Sequence, residues 1–360
     1  MLTRLYFKNW RSLREVEITN LTPITIFIGA NSSGKSNTMD ALHFLRTVEN
    51  AGGQEAIFLW GIKEKKVRTL GVGIKSPIEI DFDFALDHQQ DGLTENLRIT
   101  QKCKVSFDEE NPLVSRERLT EESLLAPENE PELSNIISLR WQLLREGFWP
   151  PSTSPADADP GPGGLYIVDT FARNVPLMLN FMQQIYPAVY RNLEADLQEL
   201  LDYVFQLGTV SDDKEKRYYV EEKWSLDHEA PIISGGTSRI IAMLTAYYAL
   251  DMRDAEQPGL VVIEEPDIAI HPLLLGNLVD LLRSYTERKG YPRQFILTTH
   301  NPQILNYFEP SEVRIVERDV SGITTVNPVN EKVAEVWRQH DGAFNLGSLW
   351  TTRLIGGVPR

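Results

Sequence analysis

A single cysteine, Cys103, in 360 residues excludes an internal disulfide. A reducing, cytoplasmic setting is the matching expectation. Histidines number only six and are scattered, so no zinc-ligand spacing can be assembled and no structural metal site is expected. Runs of eighteen uncharged apolar residues are absent, and Met1-Leu2-Thr3-Arg4 leads into alternating strand sequence instead of the apolar block of a signal peptide. No membrane partner is expected. Cations are in short supply too: 36 Lys and Arg against 51 Asp and Glu leave a formal charge of −15. A chain this acidic does not coat nucleic acid indiscriminately, so any DNA contact requires a local basic patch. Apolar residues, at 42%, suffice for a packed core in two or three domains, or one core with insertions.

The stretch Ile24 to Asn37 carries the clearest chemistry. Ile24-Thr-Ile-Phe-Ile28 predicts a short buried strand, and the sequence turns helix-compatible from Asn37 to about Arg46. Between them, Gly29-Ala30-Asn31-Ser32-Ser33-Gly34-Lys35-Ser36 matches G-x-x-x-x-G-K-[ST] in full. Gly29 and Gly34 are expected to permit positive φ, turning successive backbone N–H groups toward anionic oxygens at a helix N-terminus. Lys35 is then the mobile cation for β- and γ-phosphates, and the Ser36 hydroxyl a ligand for Mg²⁺. Asn31, Ser32, Ser33 and Asn37 complete the expected nucleotide-binding set.

Leu2 to Asn9 and Glu15 to Ile18 alternate as strands of a small meander before this loop. Gly52 to Pro77 is irregular, with Lys63, Lys65, Lys66 and Arg68 read as a solvated cluster. Ile78 to Phe84 and Leu97 to Phe107 alternate and predict an antiparallel lobe. Asp108 to Glu132 is dense in acid and reads as an exposed insertion. Trp149 to Gly164, with five prolines and three glycines, reads as a linker. Leu165 to Val168 reads as a short strand. Leu177 to Leu207 predicts one long or two shorter amphipathic helices without a sustained heptad, and Tyr218 to Trp224 another strand. The expected division is an N-terminal lobe at 1–107, an insertion or linker at 108–164, a helical insertion at 165–230 and a C-terminal lobe at 231–360.

Three further stretches bear chemistry. Ser234-Gly235-Gly236 precedes an apolar helix, a device for presenting a hydroxyl and backbone N–H groups to an anion. Gly259 to Asp267 is an apolar strand ending in Glu264 and Glu265, at the strand end where open α/β sheets bind ligands. Adjacent carboxylates there need a counter-cation or a proton; Glu264 is assigned to the metal shell, and Glu265 to orienting and deprotonating a water. Gln294 to Thr299 is a third apolar strand, stopping at His300, expected to meet a γ-phosphate or the water.

In this order, these motifs resemble the Walker A, signature, Walker B with D-loop, and switch histidine of ABC-type ATPase heads. The Glu-Glu-Pro followed by His271-Pro272 and the Thr-Ser-Arg tail of the signature resemble the RecF, SMC and OLD-type branch, including small stand-alone ATPases of bacterial defence loci. The resemblance implies an α/β fold: a P-loop core of mixed or parallel sheet, an antiparallel β lobe and an inserted helical region. It implies ATP and Mg²⁺ as cofactors and hydrolysis as the activity, with Lys35, Glu265 and His300 catalytic. It also implies a homodimer or higher oligomer sandwiching ATP, in which Ser234, Gly235 and Gly236 meet the nucleotide of the other protomer and Asp267 to His271 line the contact. Position 264 departs from the commonest Walker B by carrying Glu for Asp, and the glutamine loop falls to Gln54 or the Gln89-Gln90 pair. With no second catalytic centre visible, the engine is expected to drive a separately encoded effector, a nuclease in anti-phage defence. The alternatives are a DNA repair or chromosome-maintenance ATPase binding DNA directly, and a transporter's ATP-binding subunit.

Overall fold

The computed structural model describes residues 1–51, 69, 71–73, 76–90, 93–108, 111–120, 140–145, 152–153, 167–211, 216–224, 233–252, 259–288, 293–340 and 345–357. The chain divides into two compact units, Met1–Ser138 with Thr298–Arg360, and Leu139–Leu297.

In the first unit, β1 (Leu2–Trp10) and β2 (Leu13–Ile18) form the expected meander. Strand β3 (Ile24–Ile28) is buried at every position, as its unbroken apolar run requires. Helix α1 (Lys35–Ala51) starts two residues earlier and ends later than its sequence pattern. Strands β4 (Ile78–Gln90), β5 (Leu93–Asp108) and β6 (Asn111–Thr120) extend the meander into a five-stranded antiparallel sheet of order β2-β1-β4-β5-β6. Strand β6 corrects the sequence reading. Residues 111–120 fall within the stretch expected to be an exposed acidic insertion, yet they pair with β5 from Ile99↔Thr120 to Asp108↔Asn111. An edge strand tolerates charge, and the run Arg116-Glu117-Arg118 weakens its strand signal in the sequence.

The second unit opens with β7 (Arg140–Leu144), to which the sequence reading assigned no element. Ser152 and Thr153, inside the expected linker, form β8. Ile167 and Val168 are not strand, contrary to expectation. Helices α2 (Val175–Ile185) and α3 (Pro187–Leu200) resolve the helical stretch into two, broken where Pro187 opens the second. From Val204 the reading fails: β9 (Val204–Ser211) is a strand, paired with β10 (Lys216–Glu222) in a sheet of order β8-β10-β9. Val204 and Leu207 are three apart and both buried, which mimics a helical face. Helix α4 (Gly235–Tyr248), strand β11 (Gly259–Glu264), helix α5 (Leu274–Glu287) and strand β12 (Arg293–Thr299) follow. Here β12, β11 and β7 lie in that order, with β11 and β7 parallel and Ile263 opposite Leu144.

The chain closes in the first unit. Strand β13 (Val313–Arg318) runs parallel to β3, and β14 (Thr324–Pro328) antiparallel to β13, making this a mixed sheet. Helices α6 (Glu331–Gln339) and α7 (Leu346–Thr351) end the fold, with Trp350 buried and the Gly357 carbonyl accepting from the Ala30 N–H at 3.1 Å. The fold is α/β, with mixed sheet and an antiparallel lobe. Among the described residues no helix is long and apolar enough to cross a membrane.

Candidate nucleotide site

The phosphate-type loop of the first unit is shaped by crowding as much as by glycine freedom. Gly34 has φ +115, and a Cβ there would lie 2.1 Å from Thr324 Oγ1. Ser32, at φ +64, supplies the other left-handed position. Gly29 does not adopt positive φ, which corrects the expectation; it is needed because a Cβ would fall 2.3 Å from the Val316 carbonyl of the neighbouring strand.

A relay braces the loop. The Asn37 amide donates to Ser12 Oγ at 2.5 Å, Ser12 Oγ lies 2.7 Å from Thr324 Oγ1, and Thr324 Oγ1 donates to the Ser33 carbonyl at 2.7 Å. Since Thr324 spends its proton on Ser33, it accepts from Ser12, and Ser12 in turn accepts from Asn37. The Asn37 side chain is thus engaged by the loop's own brace. Trp10 Nε1 donates to the Asn37 carbonyl at 3.0 Å, tying β1 to the start of α1.

Lys35 is buried, and its ammonium donates to the carbonyls of Gly29 at 2.7 Å and Ala30 at 3.1 Å, folding back across its own loop. Asn31, Ser32 and Ser36 are exposed. Ser33 Oγ is buried with no hydrogen-bond partner among the described residues. A cation resting on neutral carbonyls, an orphaned hydroxyl and the first turn of a helix fit a polyphosphate, and an exposed Ser36 fits a metal ligand. His300, the next residue after β12, is exposed in the same unit.

In the second unit, Ser234 caps α4: its Oγ accepts from the Thr237 N–H at 3.1 Å and lies 2.8 Å from Thr237 Oγ1, which meets Tyr203 OH at 2.6 Å. Ser234 and Gly235 are exposed. Gly236 faces inward, where a Cβ would sit 2.3 Å from the Ala269 carbonyl. The structure therefore brings the helix start onto the turn that carries Asp267. That turn is made by Ile268 N donating to Glu265 O and Ile270 N to Asp267 O, both at 3.2 Å. Glu265 and Ala269 take φ +50 and +62, a conformation that costs a non-glycine residue about 1–3 kcal/mol. His271 is exposed, and its Nδ1 accepts from Leu273 N at 3.3 Å.

Two arginines that sequence reasoning missed hold the strand end, one through its backbone and one through the Glu264 carboxylate. Arg239, buried on α4, donates to the carbonyls of Glu264 at 3.0 Å and Glu265 at 2.9 Å, locking the strand end. Arg145, the residue after β7, donates from Nε to Glu264 Oε2 at 3.2 Å. Glu264 and Glu265 are both buried, at 4% and 6% exposure, and burial raises the demand for such partners. The signal for Arg239 was its place in the Thr-Ser-Arg tail; for Arg145 there was none. The glutamine candidates gain no support here: Gln54 lies outside the described residues, and Gln89 and Gln90 lie at the far end of β4, opposite Thr94 and Leu93. On β7 itself, Gln142 is buried and accepts from Val168 N at 2.9 Å.

Residues 24–306 match the family described as "AAA domain, putative AbiEii toxin, Type IV TA system". The chain belongs to that family. As a member it is an ABC-type P-loop ATPase domain, with distant similarity to the OLD and RecF proteins. It is 24% identical to the Old nuclease of Escherichia phage P2 over 157 residues, 41% of this chain and 25% of that protein. To the DNA replication and repair protein RecF of Natranaerobius thermophilus it is 30% identical over 105 residues, 27% of this chain and 25% of RecF. The chain thus spans about a quarter of the length of these curated relatives. Among solved structures, the SMC head domain from Thermotoga maritima aligns with a TM-score of 0.47 at 15% identity, over 91% of this chain and 99% of that one.

Proposed function

We propose that this ATPase-family member binds ATP with Mg²⁺, hydrolyses it, and dimerises head to tail around it to switch a separately encoded effector, a nuclease in defence against phage. The observation that carries the reading is Lys35, buried across a loop whose glycines cannot bear a Cβ, beside an exposed Ser36. When bound, magnesium nucleotide supplies the electrophilic phosphorus and neutralises the leaving group. Lys35 offsets charge on the β- and γ-oxygens, the loop amides orient them, and Ser36 and Glu264 serve the metal. Glu265 orients the attacking water and takes its proton, and His300 steadies the same group. The exposed Ser234 and Gly235 are suited to reach nucleotide held by a second copy, with Asp267 and His271 beside them.

Steady-state turnover tests this. Wild-type protein hydrolyses ATP with Mg²⁺, while E265Q loses about a hundredfold to ten-thousandfold in rate and still binds nucleotide. Unchanged turnover in E265Q would remove the proposed base. Similarity to RecF favours one second reading, an ATPase that binds DNA directly. It requires DNA binding that weakens steeply with salt and shifts with ATP; co-purification of a companion protein without such binding supports the first reading.

A further inference from the structure

The Glu264 carboxylate at the end of β11 has a cation partner, Arg145, for which the motif chemistry gives no account. Arg145 follows directly on Leu144, and Leu144 lies opposite Ile263 in the parallel pairing of β7 with β11. Parallel register therefore delivers Arg145 beside Glu264, one residue on. Its backbone is anchored by the Arg145 N–H donating to the Thr170 carbonyl at 2.8 Å, so the side chain springs from a fixed point. Nε then reaches Glu264 Oε2 at 3.2 Å, with the arginine side chain 26% exposed and the carboxylate 6%. A charged hydrogen bond to a desolvated carboxylate fixes its rotamer, and groups that orient a metal-serving carboxylate govern affinity at one remove.

We propose that Arg145 is a positioning residue for the metal function of Glu264: it pins one carboxylate oxygen so that the carboxylate as a whole presents a single orientation to the divalent ion. This rests on the reading above, in which Glu264 serves the metal. Removing the guanidinium frees the carboxylate to rotate, and the ion then meets a donor that must first be ordered. The alternative consequence, relief of competition between two cations for one carboxylate, predicts the opposite sign.

The test measures Mn²⁺ binding by electron paramagnetic resonance, with a non-hydrolysable ATP analogue present, for wild type, R145Q and R145K. Nucleotide affinity without metal and thermal midpoint are followed in parallel. The expected result is Mn²⁺ affinity in R145Q weakened about 10- to 100-fold, with metal-free nucleotide affinity unchanged. R145K, which keeps the charge and loses the planar geometry, falls between; if R145Q does not fold, R145K alone must still show weakened Mn²⁺ binding. Wild-type affinity in both variants, or tighter binding in R145Q, overturns the proposal while leaving ATP binding intact. Failure of the wild-type protein to bind nucleotide overturns both this proposal and the functional reading.

Discussion

The loop from Gly29 to Ser36 and the strand end at Glu264 and Glu265 are two motifs held in place in different ways. The cation of the loop is held locally, Lys35 resting on carbonyls five and six residues away, although the loop around it is braced by Ser12, Val316 and Thr324 of the same unit. The strand end is held by other elements, by Arg239 on α4, the helix before β11, and by Arg145, which is 119 residues from Glu264 in the chain. A motif whose cation finds its partners within its own loop is set in that respect by local sequence. One assembled from remote arginines depends on the packing of a whole unit.

That difference predicts separable failures. K35A should have the largest effect on activity, lowering turnover about a thousandfold by removing charge stabilisation, and it should also lower the thermal midpoint because the Gly29 and Ala30 carbonyls lose their donor. Parallel kinetics and calorimetry check it. Turnover close to wild type in K35A would contradict its role. R239M should act through stability at the strand end. Two charge-assisted bonds to buried carbonyls are lost, so stability falls by about 3 kcal/mol in chemical denaturation, and activity falls with it. A smaller and more local effect is expected at the helix start. G236A forces a Cβ to within 2.3 Å of the Ala269 carbonyl and should cost about 1–3 kcal/mol, whereas the nearest atom to a Cβ on Gly235 is 4.0 Å away, so G235A should cost a fraction of that. Equal losses in the two variants would mean that the Asp267 turn does not pack on α4 as described.

The same contrast explains what could be read in advance. The buried strand, the loop and the helix after it were legible because the pattern G-x-x-x-x-G-K-S reports local geometry between elements of clear periodicity. Ser234 as a cap and the two carboxylates at a strand end were legible for the same reason. Gly29 was named correctly for an incorrect reason: its constraint is the Val316 carbonyl, from a strand nearly 300 residues on, and no local rule exposes such a neighbour. The Ser12 and Thr324 brace, 312 residues apart, was invisible on the same account. Strand β6 was obscured by the charges an edge strand tolerates, and Val204 extended a helical spacing into β9. Most of the candidate site's motifs could thus be found from sequence, and most of what holds them could not.

Sedimentation of E265Q with ATP and Mg²⁺, set against the same protein with ADP, tests the account at the point on which everything else converges. With ATP the account predicts a species of twice the protomer mass, which ADP does not sustain. A single protomer mass under both conditions, from protein that demonstrably binds ATP, would contradict it.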